Sequence, residues 1–156
     1  MKTAFLGIVA TAIAATLGCQ GQNTASRLSK PPAEWKKILS PNAYQIMVES
    51  GTEQPYHNAY WNNHEKGVYV SAATGDVLFS SADKFDSGTG WPSFVKAVDG
   101  KKIKIVTDKS DGMVRDEVIE AKTGLHLGHV FDDGPANRGG KRFCMNSGAL
   151  KFVKQP

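Results

Sequence analysis

The stretch Met113-Val114-Arg115-Asp116-Glu117-Val118-Ile119-Glu120-Ala121-Lys122-Thr123-Gly124-Leu125-His126-Leu127-Gly128-His129-Val130-Phe131 decides the fold class. It holds two short runs, Met113 to Glu120 and Leu125 to Phe131, rich in β-branched and aromatic residues and broken by a glycine. Runs of this composition and punctuation form strands. The same texture returns at Val68 to Ala72, Val77 to Ser80, Ile103 to Val106, Arg142 to Asn146 and Ala149 to Val153. A mainly β, antiparallel core is expected. Helical signals are confined to the front, where Pro31 and Pro32 suit a first turn into Glu34 to Leu39, and Ser40-Pro41 is an N-cap followed by proline at the first helical position. Tyr44, Met47 and Val48 share a face of that second helix, and Gly51 is placed to end it.

The chain of 156 residues has room for one domain with a sizeable core. Its formal charge of +4, of which Lys2 supplies one, is slight. The one basic cluster, Lys101, Lys102 and Lys104, reads as a solvated strand edge where lysines deter edge pairing, so a nucleic-acid partner is not expected. With no obvious apolar surface stripe, a monomer is the expected state.

Residues 1–18 read as a targeting segment, with Lys2 as a positive start and Ala4 to Leu17 apolar or small. Those 14 residues are too few to span a bilayer, which takes about 20. Leu17-Gly18-Cys19 looks like a bacterial lipoprotein cleavage site, with Cys19 as the lipidated first mature residue. Residues 19–33, polar and proline-tailed, read as a flexible tether, and residues 34–154 as the folded domain. The expected location is the periplasm or cell envelope, with possible attachment to the membrane.

With that segment set aside, Cys144 is the only thiol left. It cannot be half of an internal disulfide, so it is either a small buried hydrophobe or a working nucleophile. On alternating strand geometry Arg142, Cys144 and Asn146 share one face, while Phe143 and Met145 turn to the core. His126 and His129 stand an odd number of residues apart, which in a regular strand puts them on opposite faces. A bulge at Gly128 would bring both to one site. His57 and His64 have no motif around them and read as surface residues.

The motifs Gly51-Thr52-Glu53-Gln54-Pro55-Tyr56, Gly67-Val68-Tyr69, Lys84-Phe85-Asp86-Ser87-Gly88, Gly90-Trp91-Pro92-Ser93-Phe94, His126 to Pro135 and Arg142 to Ser147, in this order, resemble the methionine-R-sulfoxide reductase (MsrB) family. The resemblance covers nearly all of the chain after about residue 40. It implies two antiparallel sheets with short helices at the front, and thiol-dependent reduction of methionine-R-sulfoxide in proteins or peptides. Cys144 matches the nucleophile and His126 the proton donor. His129 and Asn146 match substrate-orienting positions, and Trp91 the residue that receives the sulfoxide methyl. Arg142, on the face of Cys144, would lend positive charge to a thiolate or else form a surface salt bridge.

Two departures from the family pattern matter. Where many members bind zinc through two Cys-x-x-Cys pairs, this chain has Ser71 and Thr74, and Glu120 and Thr123; hydroxyls and one carboxylate do not replace four thiolates, so no zinc site is expected. Where many carry a resolving cysteine, this chain has Thr89. An oxidised Cys144 would then stay a sulfenic acid until an external thiol, such as a thioredoxin-like protein, reduces it. The competing readings are a thiol peroxidase using Cys144, an inactive module that binds oxidised methionine segments, and a metal-binding module built on His126, His129 and Asp132 or Asp133.

Overall fold

The computed structural model describes residues 27–156. The targeting segment and the Cys19 site lie outside the described residues. Two short helices open the domain, α1 (Pro32–Ile38) and α2 (Pro41–Met47). Ser40 caps α2 as its sequence suggests, its hydroxyl accepting from the Ala43 amide at 3.2 Å. Trp35 from α1 and Ala43, Ile46 and Met47 from α2 are buried against the sheets. The end of α2 differs from expectation. The helix stops at Met47, and the left-handed residue is Ser50, at φ 55°, not Gly51. Gly51 donates its amide to the Gln45 carbonyl, where a Cβ would lie 2.8 Å from that oxygen.

Nine strands follow: β1 (Gly67–Ser71), β2 (Val77–Ser80), β3 (Lys84–Phe85), β4 (Ser93–Phe94), β5 (Ile103–Asp108), β6 (Arg115–Glu120), β7 (His126–Phe131), β8 (Arg142–Met145) and β9 (Leu150–Lys154). They form two antiparallel sheets, ordered β2-β1-β9 and β3-β4-β8-β7-β6-β5. The fold is mainly β, with two antiparallel sheets and short helices at the front. β3 and β4, two residues each, are too short to leave a period in the sequence.

The inner faces meet in an aromatic core. Phe79 stacks on Phe94 at 4.5 Å between ring centroids, and Tyr69 meets Phe94 edge-on at 5.0 Å. Such pairs each add about 0.5–1.5 kcal/mol beyond their area burial. Phe143 and Met145 are buried in this core, as the alternation along β8 requires. β5 is an edge strand and carries exposed Lys104. Among the described residues no helix is long and apolar enough to cross a membrane.

Residues 27–33, expected to belong to the tether, are seated on the domain. The Ser29 amide donates to the Thr123 carbonyl at 2.8 Å, Lys30 Nζ sits 5.4 Å from the Trp35 ring centroid, and Leu28 packs on the core. The side chains of this stretch find partners on β6, α1 and the core, which composition alone does not disclose.

Candidate active site

β7 and β8 lie side by side and carry the site. Ile119 of β6 pairs with His126 and Val118 with Gly128, so Leu127 is an extra residue and the register shifts there. This bulge, one residue before the expected Gly128, reverses the alternation and brings the two imidazoles to 5.3 Å between centroids. Beyond the bulge Gly128 pairs with Met145 and His129 with Cys144.

Cys144 is a free, partly exposed thiol. It opens into a cleft of about 130 Å³. Trp91, Phe131 and Met145 give this cleft its apolar surface; His129, Asn146, Arg115 and Thr52 give it polar groups. A larger groove of about 560 Å³ runs past α2, Asn58 and Ser147, but it contains no thiol. Trp91 is held in place by its ring N–H, which donates to the Glu53 carbonyl at 3.0 Å. The turn carrying it is tied to the Glu53-to-Asn58 loop: the Tyr56 amide and the Asn58 Nδ2 both donate to the Gly90 carbonyl, at 2.9 and 2.7 Å.

Asn146 closes one end of the cleft. Its Oδ1 accepts from the Glu53 amide at 3.1 Å, which leaves Nδ2 facing His126 Nε2 at 3.4 Å and the Leu127 carbonyl at 3.3 Å. The Glu53 carboxylate in turn accepts from the amides of Ser147 and Gly148 at 2.6 and 2.8 Å, fixing the turn after β8.

The two histidines occupy different layers. His129 is part of the cleft wall, and its Nε2 lies 3.0 Å from Asp108 Oδ2. Burial holds the His129 pKa below its ordinary value, more than the Asp108 carboxylate raises it. His126 is 1 % exposed and lies behind Asn146, with Nδ1 2.7 Å from Glu117 Oε1. Burial alone would raise the Glu117 carboxyl, but hydrogen bonds from His126 and Arg27 and their charges keep it below its ordinary value.

Arg142 forms a bidentate pair with Asp133, both bonds at 2.8 Å, and lies over the Phe131 ring at 4.4 Å. It is nonetheless close enough to act on Cys144. Burial raises the thiol, while Arg142 and the Thr89 hydroxyl oppose the rise and Asp133 adds to it. The ion pair foreseen for Arg142 is present with Asp133, and its charge opposes, without outweighing, the burial that raises the thiol. His57 and His64 are exposed.

The four positions considered for zinc do meet. Thr74 and Thr123 donate to the two oxygens of buried Glu120, at 2.6 and 2.5 Å, and the Ser71 hydroxyl accepts from the Ala73 and Thr74 amides at 3.2 and 3.3 Å. This donor set does not fit zinc: it offers one carboxylate whose oxygens are already occupied by hydroxyls. Among the described residues no group of three His, Cys, Asp or Glu side chains converges as metal ligands do.

Glu117 and Asp108 escape sequence reasoning, while Asp133 enters it only as a candidate metal ligand and Thr52 only as part of a motif. Glu117 carried a usable signal, since a carboxylate beside Val118 and Ile119 in a strand demands a buried partner.

A family model described as the SelR domain matches residues 39–154. The chain is 48% identical over 125 residues to the peptide methionine sulfoxide reductase MsrB of Methanosarcina barkeri, covering 80% of this chain and 87% of that one. It is 47% identical over 118 residues to the protein of the same name from Staphylococcus haemolyticus, covering 76% of this chain and 83% of that one.

Proposed function

The chain belongs to the SelR (MsrB) family, and from that membership we propose that it is an exported, metal-free, single-thiol reductase of methionine-R-sulfoxide in proteins and peptides. The observation that carries this reading is the opening of the Cys144 thiol into a cleft with an aromatic wall on one side and imidazole and amide groups on the other.

The Cys144 thiolate attacks the sulfoxide sulfur while the S–O bond polarises. The oxygen takes up one proton and passes to the Cys144 sulfur as the S–S bond so formed breaks with its electron pair left on the methionine sulfur, and the products are methionine and a Cys144 sulfenic acid. Two external thiols then reduce the sulfenic acid to thiol, forming a disulfide and water. A thioredoxin-like protein is the expected donor, and Thr89 in place of a second cysteine requires the donor to reach Cys144 itself.

His126 supplies the proton. With Nδ1–H donated to Glu117, Nε2 is the nitrogen turned toward the site. The Asn146 amide covers Nε2, so the proton passes to the substrate oxygen beside that amide. His129 and Asn146 hold that oxygen, and Trp91 receives the methyl group. Burying one methyl is worth about 0.8 kcal/mol, about fourfold in binding. An unpaired buried polar group costs roughly 1–3 kcal/mol. Selection of one epimer therefore rests mainly on whether the oxygen meets these donors.

The targeting segment and Cys19 support a periplasmic or cell-envelope location, with a lipid at Cys19 as anchor and a monomeric domain on the short tether. The test is turnover of a peptide carrying each sulfoxide epimer separately. The expected result is reduction of the R epimer alone, with Cys144→Ser inactive. Equal use of both epimers, or reduction of peroxide in preference to either, would refute the assignment.

A further inference from the structure

Arg27 precedes residue 39, where the family match begins, yet it reaches the interior beside the site. Its Nη1 and Nη2 donate to Glu117 Oε2 and Oε1 at 2.5 and 2.6 Å. Glu117 Oε1 is the same atom that accepts from His126 Nδ1, and the Glu117 side chain is 6% exposed against 24% for Arg27. The Ser29 amide bond to Thr123 fixes the backbone beside it. A fork of two parallel hydrogen bonds fixes a carboxylate in orientation as well as charge.

We propose that Arg27, contributed by the segment ahead of the family domain, is a positioning residue for the chemical step: through Glu117 it sets the orientation of the His126 ring. This rests on the reading that His126 takes part in the chemical step.

The charged and titratable groups facing His126 are few. Glu117 comes from β6, Arg27 from the N-terminal segment and His129 from β7 itself, with Asp108 of β5 and Arg115 of β6 behind His129. Glu117 Oε1 is bonded to both Arg27 and His126, so the guanidinium fork fixes the carboxylate that in turn fixes the imidazole. Without Arg27 the Glu117 carboxylate is free to turn, and His126 loses its fixed orientation.

The test uses the full chain and four variants: Arg27→Met, Arg27→Lys, Lys30→Met and His126→Gln. Arg27→Met should leave KM within about twofold and lower kcat roughly tenfold, a modest part of the hundred- to ten-thousandfold that general acid catalysis contributes. Arg27→Lys, which keeps the charge and loses the fork, should fall between and carries the test alone if the methionine variant does not fold. Lys30→Met, a change in the same segment outside the relay, should behave as wild type. Adding Arg27→Met to His126→Gln should cost nothing further. The proposal is overturned if the Arg27 variants keep the wild-type kcat, if Lys30→Met matches their loss, or if the loss persists in the His126→Gln background. Wild-type kcat in His126→Gln alone would instead overturn the role of His126.

Discussion

The Gly128 Cα is held so close to the Cys144 main chain that a Cβ built on it would lie 2.2 Å from the Cys144 carbonyl oxygen and 2.9 Å from Met145 Cα. Backbone is on the other side of that contact, so no side-chain rotation relieves it. Gly128→Ala should therefore push β7 away from β8 and separate His129 from Cys144. Overpacking costs on the order of 3 kcal/mol when the neighbours cannot yield. Chemical denaturation should show a midpoint shift of that size together with a fall in kcat, and an alanine variant with wild-type stability and turnover would show that the strands can part freely.

The Cys144 thiol is raised by burial, with Arg142 as the main opposing influence. A cation favours the thiolate, so its removal should raise the thiol further. Arg142→Met is expected to slow alkylation of Cys144 at neutral pH and to move the midpoint of the alkylation profile to higher pH. The sign is fixed by charge alone. The Asp133 carboxylate left behind adds repulsion in the same direction. A profile that stays in place would confine Arg142 to its ion pair with Asp133.

The strands rich in β-branched and aromatic residues, the Ser40 cap and the face shared by Arg142 and Cys144 were legible because period 2, caps and punctuation are local properties. The bulge was legible too, since two histidines three apart can serve one site only if the alternation is broken. Its position was not: the extra residue is Leu127, and Gly128 is needed for close approach to β8 instead. The layering of the histidines could not be read either. What buries His126 and leaves His129 at the cleft is the partner of each, Glu117 nine residues away and Asp108 twenty-one away, and long-range pairing leaves no period in a single sequence. The docking of Arg27 onto Glu117 is of the same kind, a pair 90 residues apart inside a stretch whose composition reads as a linker.

Glu120 joins β6 to the turn after β1 through Thr74 and Thr123. Replacing it with alanine strands two hydroxyl donors in a buried pocket, at about 1–3 kcal/mol for each group left unpaired. Glu120→Ala should lower the unfolding temperature clearly, whereas a chelator should leave that of the wild type unchanged and elemental analysis should find no stoichiometric zinc. One tightly held equivalent of zinc, or a chelator-induced loss of stability, would mean that a metal and not the carboxylate joins these loops.

The last prediction concerns Thr89, whose hydroxyl opposes the burial that raises the Cys144 thiol. Thr89 Oγ1 is bonded to Ser87 Oγ at 2.8 Å, Ser87 Oγ to Ser93 Oγ at 2.7 Å, and Ser93 is the register partner of Cys144. These bonds tie the Thr89 side chain to the strand that pairs with Cys144. A disulfide needs Cα atoms about 4.4–6.8 Å apart, so Thr89→Cys should allow the sulfenic acid to condense within the chain. With one turnover in the absence of reductant, the wild type should release one methionine and leave a sulfenic acid that a specific nucleophile traps. The variant should release the same methionine, show an intrachain disulfide by mass spectrometry and lose the trapping. A wild-type protein that already forms a quantitative intrachain disulfide after one turnover would bring Cys19 into the chemistry and end the single-thiol mechanism.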